Sequence, residues 1–415
     1  MPDFLVCGVL LATLLAATEL QAAELPLVSK TDGELFPAQL VEIDENWNFT
    51  FSEGEQQRKI AADELISWGN YRDREGKPLV VLADGGIVAT NVLSVSRSRI
   101  KIEPTLWQPL DIPLELVRGI IFRPSSDVLR RDRLILRMQS SDGGQDSLLL
   151  NNGDQLTGIL VEPDAEEISE TFRLDSTAGV FPITRDKVQA VTFNPVLVDP
   201  PKPNPLHAQV GFRDGSLLTA NSIKSLGNRL QLELPGGITL ETYVDHPARL
   251  WDDFIFVAPA NSRVVYLSDL SPIPSSFRHE PFLEAHWPYK SDQNLLGGRL
   301  RSGGNIVTKG LAMHSASRLA YSLDGKYERF EAELAIDDSA GDRGSVRYRV
   351  YLDKGTGGFQ RAYESKVIRG GDRPEPISVD VIETQRMAII VDFADYGDTM
   401  DHANWLRTRL LKPSP

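Results

Sequence analysis

Four times in the N-terminal part of the chain, an Asp-Gly or Asn-Gly pair interrupts an apolar, alternating stretch: Asp32-Gly33, Asp84-Gly85, Asn152-Gly153 and Asp214-Gly215. These dipeptides favour the tight turn of a β-hairpin, because both residues tolerate positive φ. The segments they open share one form: "TDGELFPAQLVEI", "LADGGIVATNVLSV", "LNNGDQLTGILVEP" and "FRDGSLLTANSIKSL". An alternating strand follows each turn, then a more variable strand, then a hydrophobic one. Repeats of roughly fifty residues with several short strands predict small β-rolls or barrels. No polar constellation recurs between the four, so they read as a spacer or scaffold before they read as a binding array.

The middle interval carries an insertion, "SSDVLRRDRLILRMQSSDGG". Ser126 or Asp127 can cap a helix there, and Val128, Leu129, Leu134, Ile135 and Met138 recur at helical spacing. A helical connector over 125–146 would then divide repeats 1 and 2 (24–124) from repeats 3 and 4 (147–261). "VDPPKPNP" (Val198–Pro205) predicts an extended, semi-rigid joint.

Composition narrows the function. The 415 residues are 41% hydrophobic and 25% charged, which speaks against long disorder. A net charge of −14 lacks the basic footprint that nucleic-acid binding needs. The first 23 residues read as a signal peptide: an apolar run from Leu5 to Ala17, too short to span a bilayer, then Ala22 and Ala23 as a cleavage site. No Lys or Arg precedes that run, which departs from the usual pattern. The expected location is secreted or periplasmic. Cys7 is the one cysteine and would leave with the signal, so thiol nucleophiles, disulfides and thiolate metal sites leave with it.

From Ser262 the texture changes to nearly continuous strand signals. "RFEAELAID" (Arg329–Asp337) places Phe330, Ala332, Leu334 and Ile336 on one face, and "SVRYRVYLD" sets Val346, Tyr348, Val350 and Leu352 against Arg347, Arg349 and Tyr351. Strands with one apolar and one charged face predict an antiparallel β-sandwich over 262–412. The expected fold class is therefore mostly β, with small barrel-like repeats before a sandwich.

Five motifs of this segment, in order, are "YLSDL" (Tyr266–Leu270), "KGLAMHSASRLAYSLDGKYERFEAELAIDD" (Lys309–Asp338), "GSVRYRVYLD" (Gly344–Asp353), "IRGGDRP" (Ile368–Pro374) and "VDFADYGDTMDHANW" (Val391–Trp405). Together they resemble the NPCBM family, a carbohydrate-binding module family also associated with glycoside hydrolase family 98. The resemblance implies a galactose-binding-like jelly roll that recognises galactose-type or related glycans through its rim loops, without catalysis. The layout is similar to that of secreted proteins of planctomycete-type bacteria. The chain departs from the family pattern at Ala312, where a glycine is usual, and at Asn404, where an aspartate is usual.

The candidate chemistry gathers in "DYGDTMDHANW". Sugar recognition needs an aromatic face for the pyranose C–H surface and directional groups for its hydroxyls. Trp405, His402, Asn404, Asp401 and His314 have that chemistry. Trp405 reads equally as a core plug, and His314 as a satisfied loop histidine. Oxygen ligands are plentiful, so Asp337, Asp338 and Asp398 form a candidate structural Ca²⁺ set. Asp337 and Asp338 read equally as turn caps. None of the six histidines pairs at zinc spacing. A glycosidase needs two carboxylates facing across a cleft, and no nucleophile-elbow sequence is present. The expected partner is a glycan. Two alternatives stay open: a structural protein with an envelope protein partner, and an accessory module of a glycan-degrading system.

Overall fold

The computed structural model describes residues 25–96, 98–161, 171–280, 285–355, 357–395 and 397–413. The expected signal peptide lies outside them. The described chain is mostly β, with antiparallel strand pairing and one α-helix, Val128–Gln139. No helix of the described residues is long and apolar enough to cross a membrane.

Each repeat starts with the same turn. Gly33, Gly85, Gly153 and Gly215 have φ of 93°, 92°, 93° and 95°. The Asp or Asn before each glycine keeps negative φ. Its side-chain oxygen accepts instead from the backbone N–H two residues on, at 3.0, 2.9, 3.1 and 2.8 Å. Only the glycine pays the left-handed conformation, and the Asx side chain caps the turn.

The repeats pair through their last strands, out of sequence order. Leu65–Gly69 of repeat 1 pairs with Phe254–Pro259 of repeat 4, and Val117–Ile121 of repeat 2 with Val188–Thr192 of repeat 3. The two couples join where Leu217 of repeat 4 meets Ile87 of repeat 2. The expected grouping of 1 with 2 and 3 with 4 is thus replaced by 1 with 4 and 2 with 3. The apolar closing strands are the reason: they have two edges to satisfy and find their like. One hydrophobic core, from Val28 and Trp68 through Ile120 and Val191 to Phe212 and Val257, runs through all four.

The helix falls inside the expected connector. Asp127 caps it, accepting from Arg130 N at 3.0 Å. Its buried side holds Ile135 and Met138 as the spacing predicts, and also Arg131 and Asp132. Two buried charges on one helix face need partners: Arg131 finds Asp73, just after repeat 1, and Asp132 finds Arg299 and Arg301 on the sandwich.

The sandwich is two antiparallel sheets. One runs Lys290–Ser291, Gly310–Met313, Ala403–Leu411, Arg329–Ile336, Glu375–Asp380, with Val264–Tyr266 also paired to Ala403–Leu411. The other runs Arg278–His279, Ser317–Ser322, Arg386–Phe393, Ser345–Asp353, Gln360–Glu364. Phe330, Leu334, Val346, Tyr348, Val350, Ile389 and Val391 fill the space between them. A hairpin of Leu300–Ser302 and Asn305–Val307 covers the outer face of the first sheet, against Ala312, Ala335 and Leu406. The departure at Ala312 sits there, fully buried, where a methyl group packs under the hairpin.

Candidate functional site

The strand Gly310–Met313 leaves the first sheet and the chain crosses to Ser317–Ser322 in the second. The crossing carries His314, and Ala316 takes φ 57° to complete it. Beside it, Met400 at φ 60° turns the chain into the last strand, which places Asp401 and His402 at the same rim. A third segment arrives from the strand Arg278–His279 and its following loop, bringing His279, His286 and Trp287.

These rings form one cluster. Trp287 stacks on His314 at 5.3 Å between centroids and 6° between planes, and tilts against His402 at 5.8 Å. His314 lies 5.6 Å from His279 and 6.4 Å from His402, and His279 lies 5.8 Å from His286. The Trp287 backbone N–H donates to His279 Nδ1 at 3.2 Å, which leaves Nε2 of that ring buried without a partner. Trp287 is half-buried and His286 exposed, so solvent reaches the cluster from their side.

The expected site residues divide. His314 and His402 converge in the cluster, as its floor. Trp405 does not: it is 0% exposed, inside the sandwich core, with Tyr348 edge-on at 4.9 Å. Its inward register between Leu311 and Leu334 leaves no face for a sugar. Asn404 is also 0% exposed, and its Nδ2 donates to Asp337 Oδ2 at 2.8 Å. The amide holds the loop from within. Asp401 is buried, accepting from Ser345 N at 2.8 Å through Oδ1. Its Oδ2 has no well-formed hydrogen bond; the Ser315 hydroxyl is near but out of hydrogen-bonding geometry.

The calcium set is corrected as well. Asp337 accepts from Asn294 Nδ2, Ser339 N, Arg301 N and Asn404 Nδ2, which fills both its oxygens. Asp338 accepts from Gly303 N and Gly304 N at 2.8 Å each. These carboxylates cap turns and grip a hairpin. Asp398 lies half-buried near His279 and His314. Among the described residues, no group of three or more His, Cys, Asp or Glu side chains is placed to hold a metal ion.

Burial sets the electrostatics. It pushes the Asp401 carboxyl up to about 6, against the lowering effect of the Ser345 N–H and Ser315 hydroxyl, and nearby Asp398 adds to the rise. Burial pushes His314 down to about 4, helped by His279 and His402. His279 is lowered by burial and by His286, and His402 by burial. Near neutral pH the buried floor of the site is therefore three uncharged imidazoles over one carboxylate. Neutral imidazole offers one donor and one acceptor, which suits hydroxyl recognition.

Sequence reasoning missed Trp287, His279 and His286. "AHWPYK" (Ala285–Lys290), with His, Trp and Tyr together outside any alternating strand, was the available signal. The cavities of about 530, 450 and 290 Å³ lie elsewhere, between repeats 2 and 3 and along the repeat–sandwich junction. The ring cluster lines none of them; it is a rim surface.

Residues 263–411 match the NPCBM/NEW2 domain. No curated protein matches the chain. Among solved structures, the chain is similar to a CBM51 module from Clostridium perfringens GH95 in complex with methyl-galactose, at 21% identity over 35% of this chain and 99% of that one, TM-score 0.31. It is similar to CBM51-2 and INT domains of Clostridium perfringens ZmpB in complex with GlcNAc, at 22% identity over 49% of this chain and 40% of that one, TM-score 0.31. The tandem CBM51 modules of the family 98 glycoside hydrolase Sp3GH98 from Streptococcus pneumoniae SP3-BS71 match at 14% identity over 66% of this chain and 90% of that one, TM-score 0.31. The C-terminal sandwich of this chain is thus detected as an NPCBM/NEW2 domain, and that match supports a carbohydrate-binding role.

Proposed function

We propose that this is an exported, non-catalytic protein that binds galactose-type or related glycans at the sandwich rim. The observation that carries the reading is the convergence of Trp287 with His286, His314 and His402 from three separate chain segments. One face of Trp287 is backed by His314, so the ring is held rigid. Its exposed part can take the C–H face of a pyranose while the imidazoles hold hydroxyls. A rigid aromatic loses little entropy on binding. Absence of catalysis is supported by where the carboxylates go: Asp337 and Asp338 are saturated, Asp401 is buried, and Asp395 pairs with Arg369 at 2.6 Å. Two free carboxylates facing across a cleft are not among them.

A glycan array with the full chain tests this. Binding to a galactose-, N-acetylgalactosamine- or fucose-containing glycan is expected. It should fall by roughly five- to 150-fold in Trp287→Ala, the loss of one stacked ring of roughly 1–3 kcal/mol. No binding to any such glycan overturns the function; binding untouched by Trp287→Ala overturns the site.

A further inference from the structure

A buried charge cluster joins the repeats to the sandwich. Asp73, just after repeat 1, and Asp132, on the helix, face Arg131, Arg299 and Arg301. Arg301 reaches Asp132 Oδ2 at 2.8 Å and Asp73 Oδ2 at 2.8 Å. Arg299 reaches Asp132 Oδ1 at 2.7 Å, and Arg131 reaches Asp73 Oδ2 at 2.9 Å. Burial alone would raise the Asp73 pKa, but Arg301, Arg299 and Arg131 hold it well below the usual carboxylate range.

Arg301 belongs to the hairpin that covers the first sheet, and Arg299 immediately precedes it. The repeats hold this hairpin at two further points. Ile306 N donates to the Tyr71 carbonyl at 2.8 Å, and Arg72 Nε donates to Asn305 Oδ1 at 2.6 Å. The other side of the hairpin is gripped by the turn Asp337–Ala340. Asp337 accepts from the Arg301 N–H at 3.1 Å, and Asp338 accepts from Gly303 and Gly304. That same turn meets the ring cluster: Ser339 Oγ lies 3.1 Å from His402 Nδ1, and Asp337 N donates to the His402 carbonyl at 2.8 Å.

We propose that Asp132, Arg301 and Asp337 are positioning residues for the rim site, so that the repeats set the placement of His402 through the clamped hairpin. The inference rests on reading the rim as a glycan site. The ion pairs of Asp132 and the Arg301 N–H bond to Asp337 are buried, and the exposed and half-buried hydrogen bonds beside them complete a continuous chain of directional contacts, so a shift of the hairpin on the repeat side moves the turn on the other. The repeats then act as a buttress of the site rather than as a spacer.

The test uses the full chain with two alterations remote from the rim: the double variant Asp73→Asn/Asp132→Asn, and separately Arg72→Ala. The readouts are the imidazole NMR signals of His402, with His246 on repeat 4 as internal control, and calorimetric titration with a galactose-terminated oligosaccharide. In both variants the His402 signals should move while those of His246 stay. Affinity should fall by roughly two- to twentyfold, the range for couplings of this kind. His402 unmoved, or affinity unchanged in a chain that binds, overturns the proposal. If the unaltered chain binds no sugar, the glycan reading fails, and the His402 signals alone still decide the coupling. If the double variant does not fold, Arg72→Ala decides, because Arg72 is exposed and its loss leaves the ion cluster intact.

Discussion

Trp287 and Trp405 carry the same side chain and opposite duties. Trp405 is enclosed by Tyr348, Phe330 and Leu334, whereas Trp287 lies half-open on the rim. Trp405→Ala should destabilise the fold by about 3–5 kcal/mol, as large core truncations do. Trp287→Ala should cost far less stability, and urea denaturation of the two variants would separate them. Comparable losses would mean that Trp287 is a core residue. The titrating groups make a second prediction. Asp401 has a raised folded pKa, so its contribution to stability is fully present below the unfolded value of 3.8 and is lost as pH rises through about 6. His314 has a lowered one, so its contribution is present above 6.5 and is lost as pH falls through about 4. The two oppose each other between pH 4 and 6, with lowered His279 and His402 on the side of His314. Asp401→Asn should therefore steepen the rise of stability with pH in this window, and His314→Gln should flatten it. Each change is up to roughly 3 kcal/mol across the window. Identical pH profiles in the two variants would contradict the burial of both groups.

At the scale of elements, the four Asp-Gly and Asn-Gly turns have one geometry but different neighbours. A Cβ at Gly215 would come within 2.8 Å of Arg74 N, whereas at Gly153 nothing lies within 4 Å. Both glycines have positive φ, so alanine at either pays about 1–2 kcal/mol for the left-handed backbone. Gly215→Ala should cost clearly more than Gly153→Ala in chemical denaturation, because backbone must move as well. These turns and the alternating strands of the sandwich were legible because they are written in local chemistry: a dipeptide, or a period of two. The face of Phe330, Ala332, Leu334 and Ile336 is inward as the alternation predicts. The pairing of repeat 1 with repeat 4 was not legible, since four similar closing strands allow several partnerings and nothing local chooses among them. The site was half legible for a related reason. His314 and His402 stand in strand-end motifs, but Trp287 stands in a loop whose position depends on tertiary contacts with His279 and His314. Trp405 misled because a buried tryptophan at a strand start and an exposed one at a rim look alike in sequence.

On the scale of the molecule, the junction decides whether repeats and sandwich behave as one body. Besides the charge cluster and the hairpin, Arg407 spans from Glu333 to Asn70 at 2.6 and 2.8 Å, and Arg329 donates to the Thr31 carbonyl at 2.5 Å. Arg407 reaches Asn70 because it takes φ 48° and bulges the last strand there, turning its side chain outward toward the repeats. Surface ties of this kind contribute little each. Asp132 differs, being 1% exposed and shared by two arginines. Removing its carboxylate leaves buried guanidinium groups short of a partner, a loss of about 3–5 kcal/mol. Nearly all of that loss falls on the docking of the two parts, because both partners of Asp132, Arg299 and Arg301, belong to the sandwich. The unaltered chain should therefore melt in a single calorimetric transition. Asp132→Ala should split it, with the sandwich and the repeats unfolding at separate temperatures. A single transition merely shifted to lower temperature would show that the parts share stability through the wider contact surface. Two transitions already present in the unaltered chain would show that the charge cluster orients the parts without coupling their unfolding.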